Sequence, residues 1–292
     1  MWMRPAVAWP LLAMLGETAA FAAVRWFFVG TGTGQGLDRL ALIGNRLGRG
    51  LLDGPLTGLL EAITVLSLGL ATAAVAGIAL LRGRTDLGVG AVVLIAGANA
   101  TAELLKHAGH RAALDAAAGP TPPVNTLPSG HTSVSASVAV ALVLVLPPRA
   151  RGPAALLGAG FAALTGAATV AVGWHRPSDA VASFLVVAGW ASAVGLVLAC
   201  LRSGEPGRPA DPGEQRATRI LTAWGVVLLA AGAVALALTA RALATPPGAH
   251  GRRTLLVAYA GSAAGICGTA GLSIALVLAT LPRFPPWRSA PP

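Results

Sequence analysis

The stretch that decides the fold is DAVASFLVVAGWASAVGLVLACL, residues 179–201, which carries no charged residue after Asp179. A helix needs about 20 apolar residues to cross about 30 Å of hydrocarbon. The run is continuous and does not alternate between polar and apolar residues, as a strand of a membrane barrel would. Residues 179–201 therefore predict a membrane-spanning helix.

Comparable apolar stretches occur along the rest of the chain. They are residues 6–29, 57–81, 87–105, 130–146, 153–174, 217–240 and 254–281. Of the 292 residues, 55% are hydrophobic and 11% are charged, against about 25% charged residues in soluble domains. This composition excludes disorder and argues against a water-soluble globule. We predict an all-α fold, a polytopic transmembrane helix bundle with about eight spans.

The first apolar stretch is too long for a signal peptide, because it continues past Arg25. We expect it to be a retained helix. A polar segment rich in Pro and Gly interrupts the apolar stretches at residues 202–216. The chain is therefore predicted to contain a six-helix membrane domain (1–201), a cytoplasmic linker (202–216) and a two-helix C-terminal membrane extension (217–292). The extension carries no motif, so it could pack on the core, support a dimer or bind a partner.

The net charge of +10 does not indicate nucleic-acid binding, because the basic residues lie mostly between apolar runs and no basic stripe with aromatics occurs. Basic residues are slightly more numerous in the loops on the side of the N-terminus, which predicts that this side is cytoplasmic. Cys200 and Cys267 lie within apolar runs and have no CxxC partner. We interpret them as small buried residues.

Polar residues concentrate in two windows, LPSGHT at 127–132 and GWHRPSD at 173–179. Residues 107–129 contain no span, so Lys106 and His131 lie on the same side of the membrane. Two spans separate His131 from His175, which returns the chain to that side. One membrane face, extracytoplasmic in this orientation, is therefore predicted to hold Lys106, Arg111, Ser129, His131, His175 and Asp179.

These residue types suit phosphoryl transfer. Ser129 and Gly130 open the fourth helix, and the free N–H groups of a helix start bind anions. Asp179 follows His175 by one helical turn and can fix its tautomer. One imidazole can then attack phosphorus while the other protonates the leaving oxygen. Simpler interpretations are a turn and cap at Ser129–Gly130, a helix cap at Asp179, an interfacial His175, or a metal site.

The sequence resembles the type 2 phosphatidic acid phosphatases, the PAP2 superfamily. The family pattern is Lys-x6-Arg-Pro, then Pro-Ser-Gly-His, then Ser-Arg-x5-His-x3-Asp. Pro128-Ser129-Gly130-His131 completes the second part, and His175 with Asp179 completes the end of the third. The resemblance covers roughly residues 57–201. It implies a six-helix core, His175 as nucleophile, Asp179 as its partner, His131 as acid, and no cofactor or metal.

The first and third motifs depart from the pattern. The family's Arg-Pro falls at Ala113-Leu114, and Arg111 is the nearest substitute. The family's Ser-Arg falls at Ala168-Thr169, so the phosphate-binding Arg of that motif is missing. The expected phosphate-binding residues are Lys106, Arg111, Ser129, Gly130 and Arg176.

We therefore predict a metal-independent, integral membrane lipid phosphatase of a bacterial cell membrane. Its expected partners are the bilayer and a lipid phosphomonoester or diphosphate, of the polyprenyl diphosphate or phosphatidate type. Two alternatives remain open: a non-catalytic transport or scaffold protein with the same fold, and a phosphatase or phosphotransferase acting on soluble substrates. The sequence does not fix the oligomeric state.

Overall fold

The structure is a computed structural model that describes residues 5–46, 53–114, 124–201, 208–243 and 250–283. Within these ranges the regular elements are helices, and no strand occurs, so the all-α prediction is confirmed. The helices are α1 (Pro5–Gly30), α2 (Gly32–Asn45), α3 (Asp53–Glu61), α4 (Val65–Leu81), α5 (Thr85–Ala108), α6 (Gly130–Val145), α7 (Pro148–Ala171), α8 (Pro177–Leu201), α9 (Pro212–Ala242) and α10 (Arg252–Thr280). A short 3₁₀ turn, Leu281–Arg283, follows α10.

Six of the described helices are long and apolar enough to cross a membrane: α1, α5, α7, α8, α9 and α10. Helices α3 and α4 qualify only as a pair that bends by 61° at the break between them. Helix α6 has 16 residues, about 24 Å at 1.5 Å per residue. The chain is thus a multi-pass membrane-type protein. The predicted count of about eight spans is not confirmed, because six described helices qualify alone and the α3–α4 pair would make a seventh.

Helix α6 lies at the centre of the bundle and packs against α5, α7 and α8. Small residues allow these helices to approach closely, as is usual in membrane bundles. A Cβ on Gly158 of α7, for example, would lie 2.9 Å from the Cβ of Ala139 in α6. The large buried side chains around this centre include Phe184 and Leu94.

The two C-terminal helices form a close antiparallel pair that also packs on the core. Glycine residues line the contact between α9 and α10. A Cβ added to Gly261 of α10 would lie 2.1 Å from the Cβ of Ala235 in α9. Helix α10 lies against α7, α8 and α2 as well. Helix α9 begins at Pro212, inside the segment that was predicted as a linker, and residues 202–207 of that segment lie outside the described residues.

Helix α2 was not predicted from the sequence. It is short and amphipathic, and it fills a gap between the core and α10. One of its faces turns Gln35, Asp38 and Asn45 inward, and the other packs Leu40 and Ala41 in a cluster with Ala258 of α10. Its inward polar face reaches the region where the two motif windows meet.

Candidate functional site

The two motif windows meet where α6 and α8 begin. The backbone N–H of Ser129 donates to the carbonyl of Asp179 at 3.1 Å. The hydroxyl of Ser183 donates to the carbonyls of Ser129 at 2.8 Å and Asp179 at 2.9 Å. All three residues are buried. These bonds fix the starts of the two helices side by side, as the topology argument predicted.

His175 lies in the tight turn between α7 and α8. Gly173 ends α7 with a φ of 83°, which favours glycine. The N–H groups of Trp174 and His175 then both donate to the carbonyl of Thr169, at 2.9 and 3.1 Å. The turn places Nδ1 of His175 at 3.2 Å from Oδ2 of Asp179. A carboxylate at this distance favours the tautomer with the proton on Nδ1, which leaves the lone pair on Nε2.

Asp179 is held by several donors and is fully buried. Besides His175, its Oδ2 accepts from the hydroxyl of Thr126 at 2.6 Å and from the N–H of Arg176 at 2.9 Å. The carboxylate therefore has a fixed position relative to the imidazole. Such an arrangement supports a positive imidazole when His175 forms a bond at Nε2.

His131, the second residue of α6, lies at the same end of the bundle as His175. Its ring centroid is 5.4 Å from that of Trp174, the neighbour of His175. His175 and Lys106 are both close enough to act electrostatically on its imidazole. The two imidazoles and a cation thus occur together at one end of the bundle.

Lys106 belongs to the last turn of α5, and its ammonium lies beside the first residue of α6. A Cβ on Gly130 would be 3.6 Å from its ammonium nitrogen and 3.4 Å from Oε1 of Glu103. The ammonium donates to that same Glu103 oxygen at 2.6 Å. Asn125 ties the end of α5 to the segment before α6, because its amide donates to the carbonyls of Lys106 and Leu127. A cation therefore stands beside helix N–H groups that have no intrahelical acceptor.

Arg111 is buried, with 3% of its surface exposed. Its Nη2 donates to the carbonyl of Phe28 at 3.0 Å and lies 3.5 Å from Oδ2 of Asp38. Its Nε and Nη1 are buried and have no hydrogen-bond partner among the residues that the structure describes. Burial, and then the charge of Arg176, lowers the pKa of the Arg111 guanidinium, while Asp38 and Asp179 oppose this. These two free nitrogens are suited to an anion.

Arg176 and Ser129 are engaged locally. Nη1 of Arg176 donates to the carbonyl of Val124 at 3.2 Å and to the hydroxyl of Thr126 at 2.9 Å. The hydroxyl oxygen of Ser129 accepts from the N–H and the hydroxyl of Thr132, at 3.4 and 3.0 Å, so it caps α6. Thr169, at the missing Arg position, donates to the carbonyl of Gly166 and is buried.

Three residues of this region were missed by the sequence analysis: Asp38, Asn125 and Thr126. Asp38 accepts from the hydroxyl of Ser178 at 2.6 Å and from its N–H at 3.2 Å. No motif marks these residues, since each is a single polar side chain in a loop or in an unpredicted helix. For Asn125 and Thr126 the sequence indicated only that residues 107–129 contain no span.

Comparison with known protein families matches the part of the chain that carries both motif windows. Residues 87–205 match the family model of the PAP2 superfamily, which confirms the predicted resemblance over α5 to α8. Members of that superfamily are generally phosphatases. No curated protein and no solved structure matches the chain.

Proposed function

We propose that the protein is an integral membrane lipid phosphatase that works through a phosphohistidine at His175. The observation that carries this proposal is the His175–Asp179 pair at 3.2 Å, which lies beside His131 and the start of α6. The family match supports a phosphatase-type protein at the level of the superfamily.

The reaction has two steps. In the first, Nε2 of His175 attacks phosphorus, the bond to the leaving oxygen breaks, and His131 gives that oxygen a proton. Asp179 stays ionised and compensates the charge of the phosphorylated imidazole. In the second step His131 takes a proton from water, whose oxygen attacks phosphorus. The bond to Nε2 breaks and inorganic phosphate leaves.

The cations and the start of α6 hold the phosphoryl oxygens. Lys106 stands next to Gly130, and the free nitrogens of Arg111 lie within range of the charges of Asp179 and Arg176. Preorganised donors of this kind stabilise the charge on the equatorial oxygens in the transition state. Arg176 contributes charge while it also fixes the segment before α6.

A lipid substrate is supported by an apolar cleft of about 370 Å³ between α1, α5 and α8. Its lining includes Phe21, Leu105 and Trp190, and Leu105 directly precedes Lys106 in α5. The cleft extends down α1 to Glu17, about 16 Å below Phe28 at 1.5 Å per residue. A hydrocarbon chain of a polyprenyl diphosphate or phosphatidate can lie in this cleft while its headgroup stays at the site.

The proposed location is a bacterial cell membrane, with the site at the extracytoplasmic face. This orientation follows from the distribution of basic residues in the loops. It makes a lipid of the outer leaflet the substrate.

Phosphate release from long-chain and short-chain lipid phosphates by the purified protein tests this function. His175→Ala is expected to reduce release on the order of 10³-fold or more, and His131→Ala by about 10²- to 10⁴-fold. His110→Ala, an exposed histidine at the same end, is the matched control and should keep wild-type activity. Mass spectrometry should find phosphate on His175, orthovanadate should inhibit, and EDTA should not.

Equal release by wild type, His175→Ala and His131→Ala would refute the catalytic proposal. A preference for the long-chain substrate supports the cleft, and equal use of a soluble phosphate would favour the soluble-substrate alternative.

The second candidate is a non-catalytic transport or scaffold protein. The observation in its favour is Thr169, whose bonded and buried hydroxyl supplies no cation where the family has Arg. Lipid phosphate binding without phosphate release by the wild-type protein would support this candidate. The trapped phosphohistidine would exclude it.

A further inference from the structure

We propose that Asp38 of α2 is a positioning residue that orients Arg111 toward the phosphate. Arg111 then supplies the charge of the third-motif Arg that this chain lacks. This inference rests on the proposed function and deepens it. It also gives the C-terminal helices a role, because they hold α2 in place.

Asp38 connects Arg111 with the start of the helix that carries Asp179. Its Oδ2 accepts the hydroxyl of Ser178 at 2.6 Å and lies 3.5 Å from Nη2 of Arg111. Its Oδ1 accepts the N–H of Ser178 at 3.2 Å. The side chains of Asp38 and Arg111 are both 1% exposed. The carboxyl group thus has one position, and that position sets where the guanidinium lies relative to α8.

The same helix also holds the backbone next to Arg111. The Gln35 side chain donates to the carbonyls of Val29 and Ala112, at 2.9 and 2.8 Å, and accepts from the N–H of Leu114 at 3.2 Å. Gly32 approaches the same segment so closely that a Cβ would lie 2.7 Å from the carbonyl oxygen of Leu114. Helix α2 therefore fixes both the backbone and the charge of the Arg111 segment.

The other two side-chain nitrogens of Arg111 indicate that this group binds a ligand. The Phe28 carbonyl and Asp38 engage Nη2, whereas Nε and Nη1 are buried and find no partner within the described part of the chain. Leaving buried donors of a charged group unsatisfied is costly. A phosphoryl group supplies acceptors for both nitrogens in the planar geometry that guanidinium prefers. Thr169, by contrast, has its hydroxyl bonded within α7.

The outer face of α2 is covered by the C-terminal helices. Leu40 and Ala41 pack with Ala258 and Leu255 of α10, and Leu243 joins them from the end of α9. Gly44 contacts α10 so closely that a Cβ would lie 2.3 Å from the carbonyl oxygen of Leu255. The contacts with the C-terminal helices therefore hold α2 with its polar face against the site.

A double-mutant cycle on the purified full-length protein in nanodiscs tests the role of Asp38. The variants are Asp38→Asn, Arg111→Met and the double substitution, and the probe is inorganic orthovanadate, whose affinity is read from the rise it produces in Tm. Arg111→Met is expected to weaken orthovanadate binding on the order of 10- to 100-fold. Asp38→Asn should weaken it roughly 3- to 30-fold, and the double variant should be no weaker than Arg111→Met alone.

Asn45→Ala is the matched control, because Asn45 lies on the same face of α2 and donates to the carbonyl of Val170 at 2.7 Å. It removes a buried hydrogen bond of α2 without touching Arg111, so the orthovanadate affinity should stay within about twofold of wild type. Lipid phosphate turnover by Asp38→Asn should show a raised KM with a smaller change in kcat. If Asp38→Asn does not fold, Ser178→Ala serves instead, with a smaller weakening that also disappears in the Arg111→Met background.

Multiplicative losses in the double variant, or equal affinities of Asp38→Asn and Asn45→Ala, would overturn the positioning role. Failure of the proposed function gives a different result: the wild type binds orthovanadate but releases no phosphate from lipid. In that case the affinity cycle still decides the role of Asp38. A wild type that does not bind orthovanadate overturns both.

Discussion

Two buried arginines, Arg151 at the C-terminal end of α6 and Arg111 at the opposite end of the bundle, differ in how far their donors are paired. At the C-terminal end, Nε and Nη2 of Arg151 donate to the carbonyls of Leu146 and Leu144, at 2.9 and 3.1 Å, and its Nη1 lies 3.5 Å from Oε1 of Glu214. At the opposite end, two nitrogens of Arg111 have no partner in the ranges that the structure describes. Both arginines are buried, so burial alone does not distinguish them.

The difference separates an arginine whose donors are used within the fold from one that we propose binds phosphate. Arg151 saturates its donors on the orphan carbonyls that end a helix and on a carboxylate, which also bonds to Arg208. Arg82 donates to the carbonyl of Val145 at the same helix end. This cluster joins the core to α9. Nε and Nη1 of Arg111 stay unpaired among the described residues, at the end of the bundle where Asp179 and Arg176 act on its charge.

The largest expected effect comes from exchanging the two arginines for methionine in separate variants. Arg151→Met should lower the free energy of unfolding by about 3–5 kcal/mol, because it breaks a buried ion pair and uncaps α6. It should leave the affinity for orthovanadate unchanged. Arg111→Met should weaken that affinity and cost much less stability. Thermal unfolding with and without orthovanadate measures both the stability and the affinity. If one variant lost more of both quantities than the other, the distinction between the two arginines would be wrong.

The next effect concerns Asp38 and pH. Burial, and then the negative charge of Asp179, raises the pKa of the Asp38 carboxyl from 3.8 to about 7. Between these values the unfolded chain releases the proton while the folded chain keeps it, so this group's contribution to stability is present below pH 3.8 and is lost as the pH rises through about 7. The change corresponds to a few kcal/mol, at about 1.36 kcal/mol per unit.

Asp38→Asn removes this titration, so its Tm relative to wild type should rise between pH 5 and pH 8. Asn45→Ala lies on the same helix and introduces no titrating group, so its Tm difference from wild type should not change with pH. A constant Tm difference for Asp38→Asn across this range would show that Asp38 does not titrate there. Arg111 and Asp179 are the charged groups that set the carboxyl's environment, with Arg176 acting on Arg111.

The comparison also explains how far the sequence could predict the site. Continuous apolar runs predicted the helices, and counting spans brought the two motif windows to one end, because both depend on local patterns and topology. Asp38 could not be found this way. Its proposed role depends on contacts with Ser178 and Arg111, which are distant in sequence, and on a helix that no apolar run indicated. Thr126 and Asn125 depend in the same way on distant carbonyls and carboxylates.

A smaller effect tests the support that α10 gives to α2. Gly44→Ala would place a Cβ 2.3 Å from the carbonyl oxygen of Leu255, so one of the two helices must move. We expect a loss of about 1–3 kcal/mol and weaker orthovanadate binding. Gly77→Ala in α4 is the control, because a Cβ there meets no atom within 4 Å, and it should be neutral or stabilising by about 0.5–1 kcal/mol. Unchanged orthovanadate binding in a folded Gly44→Ala protein would separate α2 from the site.

The smallest effect concerns Glu103, the acidic side chain that pairs with Lys106. Oε1 of Glu103 accepts from the Lys106 ammonium at 2.6 Å, and the Glu103 side chain is 52% exposed. Exposed pairs contribute about 0–1 kcal/mol, so Glu103→Gln should change Tm little. It should tighten orthovanadate binding by about two- to threefold, because Lys106 then faces the anion without a competing carboxylate. Weaker binding would mean instead that Glu103 orients Lys106 for the phosphate. In that case a carboxylate would position each of the two cations, Glu103 for Lys106 and Asp38 for Arg111.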